Sequence, residues 1–228
     1  LTSIFSFLPH YAWNFSPDVF SAVLLVGALV TLPGDRSPHR GRHLLAGLLL
    51  GIATTAKPSF ALAALALPLL VGKPFRKTIP ALALGGMVPV VLWMGLNQHL
   101  FGAPLTTPYD RIVHFTDSGI ELHSNREDFT ESVWRGARDQ LIRPERGLLP
   151  TSPVTVASFL LLPFLWASEK RWALYIGLTS LAIYLFYSSY TLWVTSHWGN
   201  RFLMPVVVLG VLPLAAALDR RRSASEKK

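Results

Sequence analysis

Seven apolar runs, separated by short polar turns, are the feature that most limits what this chain can fold into. They cover residues 17–32, 44–56, 59–72, 78–100, 153–167, 172–191 and 201–218. A helix that crosses a bilayer needs about 20 apolar residues, and the fourth, sixth and seventh runs have that length. Only 15% of the residues are charged, against about 25% in soluble domains. These features predict an all-α, polytopic membrane helix bundle with about seven membrane segments.

Lysine and arginine are concentrated in alternate turns between these runs. The basic turns are residues 33–43, 73–77, 168–171 and 219–228, and the positive-inside rule places such turns in the cytoplasm. The turn at Lys57, the start of the last run at Arg201 and the long segment 101–152 then lie outside. This alternation requires residues 44–72 to form a short hairpin instead of one helix. It predicts a multi-pass protein with a cytoplasmic C-terminus, and it explains the net charge of +8 without nucleic-acid binding.

Local patterns predict where some helices begin and where two of them meet. Residues 16–18, Ser-Pro-Asp, have the composition of a helix N-cap followed by a first-turn proline and acid. Gly47 and Gly51 form a small-xxx-small pair, and Gly85 and Gly86 provide small residues in the fourth run. Small residues let two membrane helices approach closely, so close packing is expected at these positions.

The tip of the short hairpin carries a lysine, Lys57, whose position needs a physical explanation. A helix of residues 44–56 rises about 20 Å, against a hydrocarbon core of about 30 Å, so the tip is expected below the outer surface. A lysine there needs a counter-charge, a water-filled cavity or a route to the headgroups. Two interpretations stay open: a snorkelling lysine, or an anion site lined by Lys57, Thr54, Thr55 and a helix N-terminus at Ser59.

Residues 101–152 form the one long polar segment, which is expected on the outside. Ser124 and Glu127 fit a capping box, and apolar residues recur at helical spacing after them. This predicts an amphipathic helix over residues 125–142, either in the membrane interface or packed on the loop itself. The remaining domains are membrane helices in 1–100, three membrane helices in 153–218 and a basic tail at 219–228.

The polar residues of this segment do not form a recognisable metal site. The candidate ligands are His114, Asp117, Glu121 and His123, and their spacing matches no strong motif. The chain has no cysteine, which excludes disulfides and thiolate metal sites. No Walker loop, dinucleotide fingerprint or Ser-His-Asp pattern is present. We therefore predict no metal and no cofactor.

Four segments, taken together, resemble those of a known class of membrane enzymes. They are LLAGLLLGIATTAKPSFAL at 44–62, LNQHLFGAPLTTPYD at 96–110, LIRPERGLLPTSPV at 141–154 and WVTSHWGNRFLMPVVVL at 193–209. In their order and spacing they resemble the GT-C class of polytopic glycosyltransferases, in the broad protein-mannosyltransferase and aminoarabinose-transferase-like group. The chain departs from that pattern at Lys57, where arginine is common, and at His197-Trp198, which replaces a more glycine-rich turn.

The resemblance implies an activity and a location. Such enzymes use a polyprenyl-phosphate sugar as donor and transfer the sugar, on the outer face of the membrane, to a lipid, glycan or protein acceptor. It implies a bacterial inner-membrane protein whose partners are the lipid-linked donor and membrane lipids. The family's catalytic acid lies in the first outside loop, so we expect this chain to be a C-terminal portion and leave its catalytic residue unassigned.

Arg201 is the residue that the topology does not explain, because it starts a span at the outer side. The planar guanidinium of arginine can hold phosphate oxygens through two parallel hydrogen bonds. The alternative is a snorkelling arginine paired with a headgroup or a carboxylate. We predict that the donor phosphate is bound by Lys57, Arg146 and Arg201. The predicted substrate-binding residues are Tyr109, Asp110, Arg111, Trp198 and Asn200.

Two functions from other classes stay open. A transporter or lipid flippase is expected to have polar or broken helices near the bilayer midplane, often in inverted repeats, and the sequence has no internal repeat. A non-catalytic membrane scaffold is the second alternative, if no upstream segment supplies an acid.

Overall fold

A computed structural model of the protein describes residues 16–32, 40–71, 75–106, 110, 112–116, 119–123, 128–195 and 199–225. Within these ranges the chain is predominantly helical, as predicted, apart from one two-stranded hairpin. The helical elements coincide closely with the apolar runs of the sequence.

The first half of the described chain contains four α-helices. They are α1 (Pro17–Thr31), α2 (Arg40–Ala56), α3 (Ala61–Ala66) and α4 (Phe75–Phe101), and 3₁₀ turns at Pro58–Phe60 and Leu67–Leu70 flank α3. The predicted start of α1 is confirmed, since the Asp18 backbone N–H donates to the Ser16 hydroxyl at 3.2 Å and Pro17 takes the first helical position. The chain leaves helical geometry at Lys57, whose backbone is extended, where the predicted hairpin has its tip; the hairpin over residues 44–72 as a whole stays a prediction.

The second half contains a β-hairpin and seven helices within the described ranges. The strands are β1 (Ile112–Thr116) and β2 (Gly119–His123), and the helices are α5 (Val133–Ile142), α6 (Leu148–Thr151), α7 (Pro153–Leu160), α8 (Leu162–Ser168), α9 (Lys170–Ser188), α10 (Met204–Leu209) and α11 (Val211–Ser225). Further 3₁₀ turns lie at Thr191–Thr195 and Arg201–Leu203. The strands pair antiparallel, with Ile112 opposite His123. The sequence analysis did not predict this hairpin.

Helix α5 starts later than the predicted residue 125. Residues just before it are held at the end of α9 instead, where the Glu131 backbone N–H donates to the Ser189 carbonyl at 3.0 Å. The Thr191 hydroxyl also donates to the Asp128 carbonyl at 2.8 Å. These hydrogen bonds satisfy the backbone without helix, which explains the shorter element. The predicted capping box, Ser124 with Glu127, lies outside the described residues.

One side of α5 packs against α9, while its apolar residues stay exposed. Gly136 is buried so close to α9 that a Cβ there would overlap the Ser188 carbonyl oxygen. Trp134 is 82% exposed, and Val133, Leu141 and Ile142 are also exposed. The helix therefore packs through its small and polar side. Its apolar side chains remain exposed and could contact a lipid bilayer or another protein.

Glycines bring α2 and α4 into backbone contact, as their spacing predicts. A Cβ on Gly47 would overlap the Leu82 carbonyl oxygen, and one on Gly85 would overlap the Leu44 carbonyl oxygen. A Cβ on Gly51 would lie 2.6 Å from Pro89 Cγ. These two helices form the most extensive helix–helix contact among the described elements.

The prediction of seven membrane segments is not supported. Within the described ranges, two helices are long and apolar enough to cross a membrane: Thr78–Phe101, with mean hydropathy 1.9, and Arg201–Asp219, with mean hydropathy 2.2. The other apolar runs form shorter or interrupted helices. The run 153–167 is divided at Leu161, and Pro58–Leu70 is divided between 3₁₀ and α geometry.

The core joins α1, α2, α3, α9 and α10. Its fully buried side chains include Leu25, Leu50, Phe60, Tyr175 and Val207. Because α1 begins where α2 ends and packs against α10, residue 18, residue 57 and the turn before α10 meet at the same end of the core. This end carries the candidate site.

Candidate functional site

A buried ion pair joins the start of α1 to the tip of the hairpin. The Lys57 Nζ lies 3.1 Å from the Asp18 Oδ1, and the two side chains are 9% and 4% exposed. The Ser16 hydroxyl donates to the other carboxylate oxygen of Asp18 at 3.1 Å. The counter-charge that a lysine at this position requires is therefore Asp18. The sequence analysis treated Asp18 only as a first-turn acid of α1.

Arg201 and Lys57 both lie near the ring of Phe202. The Lys57 Nζ lies 4.5 Å from the centroid of Phe202, and the Arg201 Cζ lies 5.2 Å from it. Cations near an aromatic ring are attracted by its negative face. Two of the three predicted phosphate ligands, distant in sequence, are thus brought together.

The charge of Lys57 is set by opposing influences. Lys57 lies between helices, outside both candidate spans. Burial lowers the pKa of its ammonium group, the Asp18 carboxylate opposes this by stabilising the charged form, and the positive charge of Arg201 lowers the pKa further. Arg201 is therefore an electrostatic neighbour of Lys57 as well as a neighbour of Phe202.

Two polar atoms near this ion pair are buried without a hydrogen bond in the described part of the chain. They are the Arg201 Nε and the Ser59 hydroxyl. Buried polar groups normally have partners, so such atoms call for an explanation. An anion bound beside Arg201 would bring an oxygen that accepts from its Nε.

The threonines of the hairpin tip are engaged within their own helix. The Thr54 hydroxyl donates to the Leu50 carbonyl at 2.9 Å, and the Thr55 hydroxyl donates to the Ile52 carbonyl at 2.9 Å. This bonding disfavours the predicted lining of an anion site by these two hydroxyls. Lys57 and Ser59 are the hairpin residues that retain that possibility.

A buried chain of amides holds the turn that carries Arg201. The Asn200 Nδ2 donates to Gln140 Oε1 at 3.1 Å, and the Gln140 Nε2 donates to the Ser188 hydroxyl at 3.2 Å. The Asn200 Oδ1 accepts from the Phe202 backbone N–H at 3.1 Å. All three side chains are fully buried. Since both ends of the Asn200 amide bond internally, the geometry favours a positioning role for Asn200 over the predicted substrate contact.

Replacing Gln140 with Leu is expected to lower the free energy of unfolding by about 1–3 kcal/mol. The change leaves the buried Asn200 Nδ2 without its acceptor, whereas the Ser188 hydroxyl still donates to the Tyr184 carbonyl. The measurement is reversible unfolding in detergent micelles. Gln98→Leu, at an exposed position of α4, is the matched control and should not destabilise the protein. A Gln140→Leu variant as stable as the wild type would contradict the role of this network.

Arg146 lies on a turn that is bonded directly to the Gly199 turn. The Gly199 backbone N–H donates to the Glu145 carbonyl at 3.2 Å. Gly199 has a φ of +61°, a left-handed conformation that glycine adopts without steric cost. The Arg146 backbone is thereby placed beside the site, and phosphate binding by its side chain stays a prediction.

The other predicted substrate residues are not brought to the site by any described contact. Tyr109, Arg111 and Trp198 lie outside the described residues. Asp110 is partly buried at the start of the region that leads to the β-hairpin, and its role stays a prediction. The side chains of the histidines and acids weighed as metal ligands also lie outside the description.

The arrangement is suited to holding a small anion. It offers an ammonium and a guanidinium near one ring, with a carboxylate that balances part of the charge. Hydrogen bonds from charged donors to anionic oxygens are shorter and stronger than neutral ones, and their strength increases where water is excluded.

No protein-family model, curated protein or solved structure matches this chain.

Proposed function

We propose that this chain is part of a membrane glycosyltransferase of the GT-C class, which binds the phosphate of a polyprenyl-phosphate sugar at Lys57 and Arg201. The observation that carries the proposal is the convergence of these two cations on Phe202. The distribution of basic turns in the sequence predicts that both cations lie on the opposite side of the membrane. Because the two cations lie together at the end of the core, one anion could bind both of them.

The surface of α4 supports placement in a membrane. Only 11% of its candidate span is buried within the protein, whereas the core helix of a soluble protein is mostly buried. The exposed side chains on it are Leu84, Met87, Val88, Val91, Leu92, Leu96 and Leu100. Soluble monomers rarely expose a contiguous apolar patch of this kind. A lipid environment covers it without a further partner.

The position of Arg201 suits a ligand with a charged head and an apolar tail. Arg201 begins the second candidate span, Arg201–Asp219. A phosphate bound there would lie at the end of that helix, and a prenyl chain could extend along the apolar side chains beyond it. In this proposal the bacterial inner membrane supplies both the lipid phase and the polyprenyl donor.

The proposed chemistry gives the two cations a role at the leaving group. In glycosyl transfer the bond between the sugar carbon and the phosphate oxygen breaks, and the polyprenyl phosphate leaves with an additional negative charge. The acceptor hydroxyl bonds to the sugar and gives its proton to a base. Cations fixed at the phosphate stabilise the charge as it develops. Lys57 and Arg201 would act in this way on the outer face of the membrane.

Replacing Arg201 with Gln is expected to weaken binding of a polyprenyl-phosphate sugar at least about tenfold. The reason is the loss of charge-assisted hydrogen bonds to phosphate. Binding is measured with a radiolabelled lipid and the full chain in lipid nanodiscs. Arg135→Gln is the matched control, because the Arg135 side chain is 70% exposed, and its affinity should stay within about twofold. Equal affinity of the Arg201→Gln variant and the wild type would reject the proposed site.

A further inference from the structure

We infer that Asp18 sets the charge selectivity of the anion site, so that it prefers a singly charged phosphodiester over a doubly charged phosphomonoester. This inference rests on the proposed function and names the chemical form of phosphate that the site accepts. Nothing in the sequence pattern of Asp18 points to the site, because the residue lies in the first turn of a helix. The structure places its carboxylate in contact with Lys57.

The Asp18 carboxylate is held in place from two sides. One oxygen contacts Lys57, at 3.1 Å, and the other accepts from the Ser16 hydroxyl, at 3.1 Å. The start of α1 adds the positive end of a helix dipole, which favours a negative charge at this position. The carboxylate is therefore a fixed part of the site, independent of any ligand.

Described contacts join three charged side chains at this end of the core: Lys57 and Asp18 by their ion pair, and Lys57 and Arg201 through Phe202. No described contact brings the Arg146 side chain to them. Lys57 and Arg201 contribute one positive charge each, and Asp18 contributes one negative charge, so one positive charge remains. An excess charge in a poorly hydrated site is costly. A phosphodiester, with one negative charge, neutralises the cluster. A phosphomonoester is doubly charged above its second pKa of about 6, so it leaves an excess negative charge beside Asp18.

This selectivity matches the direction of the proposed reaction. The sugar donor is a phosphodiester, and the lipid that leaves is a phosphomonoester. A carboxylate fixed beside the phosphate would therefore favour binding of the donor over retention of the product. Asp18 would act as a specificity-determining residue, with no proton transfer of its own.

The test uses two lipids that differ only in charge: polyprenyl phosphate, and the same lipid with a methyl group on the phosphate. Their dissociation constants are measured at pH 7.5 with the full chain in uncharged nanodiscs, and the neutral polyprenol is the reference. The wild type should bind the methyl diester about tenfold more tightly than the monoester. Asp18→Asn should shift the ratio of the two constants at least about tenfold towards the monoester.

A double variant separates charge from geometry. Asp18→Asn combined with Lys57→Gln removes both charges of the pair and leaves the cluster with the single positive charge of Arg201. It should show the same diester preference as the wild type. A changed ratio in this variant would overturn the inference.

The remaining outcomes distinguish the inference from the proposed function. If the wild type binds both phosphates more tightly than polyprenol but shows no preference, the inference is wrong and the phosphate site stands. If the ratio of the two dissociation constants in Asp18→Asn equals that of the wild type, the inference is likewise wrong and the phosphate site stands. If the wild type binds neither phosphate better than polyprenol, the proposed function fails and the inference fails with it. The wild-type comparison is decisive even if Asp18→Asn does not fold.

Discussion

Replacing Lys57 with Gln is expected to lower the free energy of unfolding by about 3–5 kcal/mol. The single change leaves the Asp18 carboxylate buried without its cation, which is much more costly than removing both charges. The pair also joins two separate elements, since Asp18 starts α1 and Lys57 forms the turn after α2. Reversible unfolding is measured in mixed micelles. The concentration of a denaturing detergent is increased, and the loss of helix is monitored by circular dichroism.

Two comparisons make this result specific to the ion pair. Asp18→Asn combined with Lys57→Gln should recover most of the lost stability, because no unpaired charge is left in the core. Lys170→Gln, at an exposed position, should change stability by no more than about 0.5 kcal/mol. A double variant that is less stable than the Lys57→Gln single variant would contradict this account of the pair.

Replacing Gly85 with Ala is expected to destabilise the protein by about 3 kcal/mol, although alanine favours helix. A Cβ at this position would overlap the Leu44 carbonyl oxygen and lie 2.9 Å from the Leu48 backbone nitrogen. Backbone atoms cannot move aside as the end of a flexible side chain can, so α2 and α4 must separate. Overpacking of this kind costs about 1–3 kcal/mol or more.

Gly95 on the same helix provides the matched control. A Cβ at Gly95 would have no neighbour within 4 Å, so Gly95→Ala changes only the helix propensity. It should stabilise α4 by up to about 1 kcal/mol. The two variants are therefore predicted to have opposite signs in the same unfolding measurement. Equal effects would show that α2 and α4 do not pack through Gly85.

Most helix boundaries could be predicted from the sequence because they depend on local chemistry. The start of α1 follows from the cap at Ser16 and Pro17, and the end of α2 follows from Lys57-Pro58, because a proline disfavours helical geometry in the preceding residue. The approach of α2 to α4 follows from Gly47 and Gly85, because small residues let two helices approach closely.

Features that depend on contacts between distant segments could not be predicted. Residues 128–132 lie within the predicted helix, but they are held in another conformation by two hydrogen bonds, from the Glu131 backbone N–H to the Ser189 carbonyl and from the Thr191 hydroxyl to the Asp128 carbonyl. The number of helices that could cross a membrane was overestimated for a related reason. Hydropathy shows that a run is apolar, but it does not show whether the run forms one continuous helix. A break in the helix, such as the one at Leu161, depends on how the run packs against other segments.

The candidate site was predicted in part. The predicted topology, in which Lys57 and Arg201 lie on the side opposite the basic turns, pointed to both cations. The sequence did not reveal that Asp18 is the counter-charge of Lys57. An acidic residue in the first turn of a helix is already explained by its favourable interaction with the helix dipole. Asn200 was assigned to substrate, and the structure shows its amide bonded to Gln140 and Phe202. Pairs such as these have no sequence spacing that could reveal them.

The most direct test of the account is the distance between the phosphorus of bound polyprenyl phosphate and the Arg201 Cζ. It is measured by phosphorus–carbon dipolar dephasing in solid-state NMR, with the full chain labelled at arginine Cζ in nanodiscs. A bidentate guanidinium–phosphate contact predicts a separation of about 4 Å and a dephased signal that disappears in Arg201→Gln. A dephased arginine signal that persists in that variant, or no dephasing in the wild type with the lipid bound, would contradict the account.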